Sequence, residues 1–512
     1  MKKVITCLLL LTVVLGSGFA QTVTITGRVT DPSGKGIPST VVRMGVLALF
    51  AETDTNGYYA LGSGIVNVNQ NVAVTGNAFT KPCFSSGRLL FSLPENNSQV
   101  RISLFDMNGR FVRDVLNSRL NLGNYSCLVD GRNLSAQFYV LRVAINNQTT
   151  VLKFPSLNSR FSSERSSQAN VQQQRLEKLA AVMDTLHATA PGYSVAVKPI
   201  ESLAGTYDFQ LTKVTTWNGD INAFWGDTSA IPKVAGGIIF KIINRTNGAY
   251  ADSQIYWALG DNGAPNRLSA TSTINLPNNP AGRIYIMVGG SSRGANTYWD
   301  FEEHTTGNGV YNGNTTRVDG FRLPIAIRLH CADGHDTTLG EDYFVFYQPR
   351  QSRFDEFINE ATPEFTHLAT APYAPYVVSA PRGDAGFVSG KYKDYYTSYV
   401  NQIWTLNLRN KFAKFAKPTT DNVFSCTGDA CGGNADIAAV LNRHVAEDTT
   451  KWDERKDGSV YYQKTPCNYY SRFMHRRSMK QRCYGFPYDD WAFWAAYDSH
   501  GGAQWLEIAV GF

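Results

Sequence analysis

The chain has 512 residues, more than one compact core ordinarily holds, so two to four domains are expected. Its formal net charge is +6, and two of the lysines sit at positions 2 and 3, so the remainder is only mildly basic for its length. That balance gives no case for a nucleic-acid partner.

In chain order, Met1-Lys2-Lys3, the mostly apolar run Val4 to Leu15 and the small-residue close Gly16-Ser17-Gly18-Phe19-Ala20 read as a secretory signal peptide over 1–20, cut after Ala20. The alternative, a membrane anchor, needs roughly 20 apolar residues, and no other stretch supplies them, so no membrane span is expected. Export implies a compartment where disulfides persist. Apart from Cys7 in the signal, the cysteines are Cys83, Cys127, Cys331, Cys426, Cys431, Cys467 and Cys483, an odd number. Connectivity does not follow from sequence, but short separations favour Cys426 with Cys431 and Cys467 with Cys483. A zinc site built on these cysteines would need a second closely spaced pair with histidines at ligand spacing, which the sequence does not display, so no metal is expected.

From Thr22 to about Ser63, short alternating runs such as Val23-Thr24-Ile25-Thr26-Gly27-Arg28-Val29-Thr30 are separated by the turns Asp31-Pro32-Ser33-Gly34 and Asp54-Thr55-Asn56-Gly57, which predicts a small β-sandwich over 22–75. The Gly-x-Val opening, the Asp-x-x-Gly turn and the late Asn-Gly-x-Tyr resemble the carboxypeptidase regulatory-like module, a scaffold or binding unit. A second β module is expected over 77–154, with Val100 to Asp106, the turn Met107-Asn108-Gly109 and the run Phe138 to Val143 as its clearest elements. It resembles the immunoglobulin-like modules related to bacterial sorting tails, here placed mid-chain, and is read as a spacer or docking unit. Over 155–214 a Ser/Gln/Asn/Arg-rich linker with Gln172-Gln173-Gln174 precedes a short β unit that could complete the first module.

All nine tryptophans fall from Trp217 onward. Apolar β runs such as Ile238-Ile239-Phe240-Lys241-Ile242-Ile243 and Ile284-Tyr285-Ile286-Met287-Val288 give way to helical spacing between about Arg353 and Leu408 and again over Ala435 to His444. A β core with a helical excursion is expected over 216–512.

The chemistry is concentrated in Tyr298-Trp299-Asp300-Phe301-Glu302-Glu303-His304-Thr305 and Asn314-Thr315-Thr316-Arg317-Val318-Asp319. Glycosidic cleavage needs one carboxylic acid to protonate the leaving oxygen and one carboxylate to activate water or attack the anomeric carbon. Glu303 and Asp319 are 16 positions apart, and the Gly307-Asn308-Gly309 and Asn312-Gly313 stretches could fold both toward one cleft. Glu302 and Asp300 are the rival acids. Strand alternation puts Glu302 on the opposite face from Glu303, so only one of them can share the cleft.

These segments, with Phe321-Arg322-Leu323-Pro324 and Phe486-Pro487-Tyr488-Asp489-Asp490, resemble glycoside hydrolase family 64 in the family's order. The resemblance implies a thaumatin-like β-barrel beside a mixed α/β domain, following the N-terminal β-sandwich modules. It also implies inverting endo-1,3-β-glucanase activity on laminarin, curdlan or cell-wall glucan, with no cofactor. Carried over by position, Glu303 falls on the general acid and Asp319 on the base. Thr305 and Thr316 fall on positions implied to touch sugar, and Asn314 and Asp490 are further candidates for substrate binding. Where the family tends to have tryptophan before its Asn-Thr-Thr run, this chain has Tyr311-Asn312-Gly313. Asp489 and Asp490 also fit a turn-capping role, and His475 a structural one. A secreted bacterial monomer acting on β-1,3-glucan is the expectation. The competing readings are a non-catalytic glucan-binding protein of the same shape and, for residues 22–211 alone, an adhesin.

Overall fold

The computed structural model describes residues 19–45, 49–62, 65–68, 82–85, 88–93, 95–121, 123–129, 138–146, 148–155, 176–178, 184–232, 237–276, 282–307, 309–452, 458–491 and 497–512. Residues 1–18 of the expected signal peptide and most of the expected Gln-rich linker lie outside them. Two compact units emerge: residues 1–188 with 196–210, and residues 189–195 with 211–512.

In the N-terminal unit, the strand Thr24–Thr30 alternates buried Ile25, Gly27 and Val29 with outward residues, as a half-buried strand must. It pairs with Tyr58–Leu61 and, in parallel, with Ala204–Thr206 and Phe209–Gln210. Asp184–Thr189 and Ala196–Ile200 extend the sheet of Val41–Met44 and Phe50–Glu52. The strands after the linker therefore hydrogen-bond into the sheets of the first module. Two further four-stranded sheets, built from Cys83 to Lys178, enclose a core of Leu89, Phe91, Leu93, Val100, Ile102, Leu104, Leu141 and Val143.

The C-terminal unit is organised by eleven strands: β1 (Ile238–Asn244), β2 (Ile255–Leu259), β3 (Asn266–Arg267), β4 (Thr273–Leu276), β5 (Gly282–Val288), β6 (Tyr298–Gly307), β7 (Val310–Asn314), β8 (Ile325–Cys331), β9 (Asp336–Gly340), β10 (Tyr497–Gly501) and β11 (Ala503–Val510). One sheet runs β4-β1-β11-β8-β9 and the other β3-β2-β5-β6-β7-β10. The final strand β11 lies between β1, in parallel, and β8, antiparallel. Alternate residues of both sheets, among them Phe240, Ile242, Ile327 and Ile508 from one and Trp257, Ile284, Ile286 and Tyr311 from the other, meet in a single core. This is a face-to-face sandwich. The expected barrel is not closed: among the described residues no strand pairing joins the two sheets, and each terminates in its own edge strands.

Between β9 and β10 the chain leaves the sandwich for helices, including Arg350–Glu360, Thr397–Leu406, Ala435–Asn442 and Tyr469–His475. Helical spacing explains their burial: Tyr399, Val400, Ile403 and Trp404 line one stripe of Thr397–Leu406. None of the helices among the described residues is long and apolar enough to cross a membrane.

The expected disulfides do not form. Cys127, Cys331, Cys426, Cys431, Cys467 and Cys483 are free and buried. Cys426 caps the helix Thr420–Ser425 and directs Sγ at Val423 O, 3.7 Å away. Cys467 sits among Tyr395, Tyr396 and Tyr399, whereas Cys483 neighbours Arg317, Glu341 and Asp489, so short sequence separation does not bring this pair into one environment. Burial pushes the Cys431 and Cys467 thiols up to about 12, which suppresses the thiolate that disulfide exchange requires.

Candidate active site

The site is built on β6, whose alternation divides its acids between two environments. Asp300, Glu302, His304 and Thr306 are buried on the sandwich side, while Trp299, Phe301, Glu303 and Thr305 lie on the outer face. Glu302 is fully enclosed: its Oε2 is 2.8 Å from His304 Nδ1, and its Oε1 accepts the Tyr311 hydroxyl at 2.8 Å. Every lone-pair direction spent there is unavailable to a substrate. Asp300 Oδ2 accepts the Arg322 and Leu323 backbone N–H groups, both at 3.1 Å, and pairs with Arg317 at 3.0 Å. Both rival acids are thus structural.

Glu303 faces outward at the centre of a cross-strand row. Arg283 of β5 is its partner on one side and Asn314 of β7 on the other. Arg283 Nε and Nη2 donate to the same oxygen, Glu303 Oε1, at 3.0 and 2.8 Å. Oε2 has no hydrogen-bond partner among the described residues. One oxygen is therefore held and the other left free, the arrangement an oriented proton donor or acceptor needs. Asn314 Oδ1, beside Glu303, is buried with no hydrogen-bond partner among the described residues. Thr305 is exposed on the same face, opposite Asn312.

Asp319 sits in the turn that follows β7, its side chain about half exposed, with Oδ1 3.3 Å from Arg382 Nη1. Its placement derives from Arg317, whose fully buried guanidinium pairs with Asp300 and with Glu341. The Arg317 N–H donates to Tyr484 O at 2.9 Å, and its carbonyl accepts the Tyr470 hydroxyl at 2.6 Å. On the far side, Gly320–Phe321 pairs with Val378–Ser379, which brings the Arg382 segment over the turn. Thr316 is buried, and its Oγ1 accepts the Val318 N–H at 3.3 Å.

Tyr484 connects the parts. Its carbonyl anchors Arg317, while its phenol is pushed up by burial and then by the negative charges of Asp490, Asp489 and Glu303. It stays neutral, and its hydroxyl proton is spent on Pro487 O, 3.1 Å away. Asp490 is exposed, whereas Asp489 is a buried hub. Asp489 receives Arg443 Nη2 at 2.9 Å, Gly485 N–H at 2.8 Å and Ser471 Oγ at 3.2 Å, and lies 2.9 Å from His475 Nε2. Burial alone would raise its pKa. His475 and Arg443 outweigh burial and hold the carboxyl below its ordinary value. Arg283, Tyr484 and Arg382 went unmarked in the sequence, because none has a spacing signal and each reaches the acids through strand order or a distant loop.

A family model described as β-1,3-glucanase, Glyco_hydro_64, matches residues 288–407 and 405–503, a stretch that contains both acids and the Phe486–Asp490 turn. Among solved structures, the chain is similar to a β-1,3-glucanase domain from Clostridium beijerinckii, at 22% identity over 55% of this chain and 100% of that one, with a TM-score of 0.48. It is also similar to a laminaripentaose-producing β-1,3-glucanase from Paenibacillus barengoltzii complexed with laminarihexaose, at 22% identity over 84% of this chain and 99% of that one, with a TM-score of 0.49. No curated protein matches the sequence.

Proposed function

Taking the C-terminal unit as the glycoside hydrolase its family match supports, we propose that it cleaves β-1,3-glucan internally, with inversion, using Glu303 as general acid and Asp319 as general base. The observation that carries this reading is the family match running across β6, β7 and the Asp319 turn, the segments that hold both acids. In the proposed step, Glu303 delivers a proton from Oε2 to the glycosidic oxygen while Arg283 fixes Oε1. Asp319 takes a proton from a water that attacks the anomeric carbon from the opposite face of the ring. One displacement without a covalent intermediate inverts the anomeric configuration, and the water requires carboxyl groups about 6.5–9.5 Å apart. Thr305 and Asp490, both exposed, are proposed to hold sugar hydroxyls, with Asn314 beside Glu303 reaching one through its side-chain amide. Thr316 is proposed to support the turn and to touch sugar only through its donor hydrogen. The same reading places the chain outside the cell, supported by the basic start and apolar run of residues 1–20.

Product analysis on linear 1,3-β-glucan tests the proposal, comparing wild type with Glu303→Gln and Asp319→Asn at matched folding. Each variant is expected to lose about 10²–10⁴-fold in kcat, the range for a general acid or base, and newly released ends should be α-configured. Wild-type binding without cleavage would instead support the non-catalytic glucan-binding reading. Initial β-configured products would rule out inversion.

A further inference from the structure

A second chemical cluster lies where the turn between β8 and β9 meets the turn between β10 and β11. Cys331, at the end of β8, is buried, Asp333 in the turn is exposed, and His500 of β10 is half-buried. The turns are fixed side by side by backbone hydrogen bonds: Cys331 N–H donates to His335 O at 2.9 Å, and Ala332 N–H to Gly502 O at 2.8 Å. A shift of register between His330 and Cys331, where β8 pairs with β11, re-aims the strand end at this point. One potential ligand atom from each of Cys331, Asp333 and His500 lies within 4.8 Å of the other two.

Neighbouring groups orient the donors. His500 Nε2 is 2.8 Å from Asp333 Oδ2, and Asp333 Oδ1 accepts the His335 N–H at 3.0 Å. The His335 ring stacks on His500 with centroids 3.9 Å apart and planes 7° from parallel, and its own Nε2 is 3.1 Å from Asp498 Oδ2. Two stacked imidazoles, each tied to a carboxylate, hold the His500 ring plane. The Cys331 thiol is buried and in no disulfide.

The geometry points to a divalent transition-metal site of the zinc class, with Cys331, Asp333 and His500 as protein ligands and water in the fourth position. A thiolate, an imidazole and a carboxylate are the mixed donor set that zinc accepts. Zn–S near 2.3 Å and Zn–N or Zn–O near 2.0–2.2 Å put tetrahedral ligand atoms about 3.3–3.8 Å apart. The His500 Nε2–Asp333 Oδ2 hydrogen bond of 2.8 Å must open by about 0.5 Å, while a pair at the 4.8 Å limit must close by about 1 Å. Side-chain rotation at exposed Asp333 and half-buried His500 reaches both. Binding exchanges the Cys331 thiol proton for the metal with no redox change. His335 and Asp498 act as positioning residues, and the bound ion clips the β8–β9 turn to the last two strands.

The test uses full-length protein stripped with a chelator, then titrated with Zn²⁺ by calorimetry and with Co²⁺ by absorption. One ion per chain, a thiolate-to-cobalt charge-transfer band and a higher unfolding temperature with Zn²⁺ are expected. Cys331→Ser should abolish the band. Because that thiol is buried and the variant could fold poorly, His500→Gln and Asp333→Asn provide the second measurement, each weakening binding by at least about tenfold. Absence of Zn²⁺ uptake by wild type, a Co²⁺ complex without the sulfur band, or equal affinity in His500→Gln and Asp333→Asn would each overturn the assignment.

Discussion

Asp489 shows how one residue can carry a buried electrostatic knot beneath the Phe486–Asp490 turn. Its carboxylate answers Arg443, His475, Ser471 and the Gly485 N–H at once. The folded pKa is depressed below the unfolded value of about 3.9. The stability this supplies is therefore present above about pH 4 and is lost as pH falls through the folded value. Asp489→Asn should destabilise the protein most near neutral pH, and the gap from wild type should narrow as pH drops below about 4. Denaturant unfolding at a series of pH values checks this, and a gap unchanged between neutral and strongly acidic solution would refute it. The sequence offered Asp489 and Asp490 together as turn residues. Only burial separates them, one a hub and one exposed, and burial at a loop position leaves no periodic trace.

At the scale of the strand, the separation of Glu302 from Glu303 was legible because β6 is ten regular residues, and period two assigns faces without knowledge of the neighbours. The partner of each face was not legible. Arg283 reaches Glu303 only because β5 pairs with β6, and β10 lies beside β7 only after a long helical excursion. The same limit hid the Cys331 cluster: the run His330 to Asp336 gathers ligand-type residues, but His500 joins them through strand order. Gly313 exposes the tightness of this arrangement. A Cβ there would fall 2.2 Å from the Tyr311 hydroxyl and 2.8 Å from Glu303 O. Gly313→Ala must therefore push apart the ring that serves Glu302 and the backbone that carries Glu303. Overpacking of this kind costs about 1–3 kcal/mol, and under the role proposed for Glu303 its displacement by about 1 Å lowers activity on the order of 10²-fold. Unfolding and glucan-cleavage assays on the same preparation measure both. An alanine variant with wild-type kcat/KM would show that β7 does not position the acid.

For the whole molecule, the sequence conveyed a β-rich chain with a helical excursion in its last third, because strands and helices differ in apolar period. The conversion of an expected barrel into an open sandwich depends on which strands terminate each sheet, a fact distributed over β1, β4, β8, β9 and β11 and absent from any one of them. Each compact unit has its own buried core, the N-terminal one including Phe91, Ile102 and Leu141 and the C-terminal one including Phe240, Ile286 and Ile508. Units with separate cores unfold as separate cooperative transitions unless a large apolar interface couples them. Ile508, fully buried on the central strand β11, is the probe. Ile508→Ala removes packing that cannot collapse between two sheets and should cost about 2–5 kcal/mol, enough to lower its transition by several degrees at about 2–4 °C per kcal/mol. Scanning calorimetry should then show the transition of the C-terminal unit displaced downward and the other unmoved, with loss of glucan cleavage on heating following the displaced one. A single transition that shifts as a whole would mean that the two cores melt as one cooperative body, and that catalytic stability is set by the entire chain.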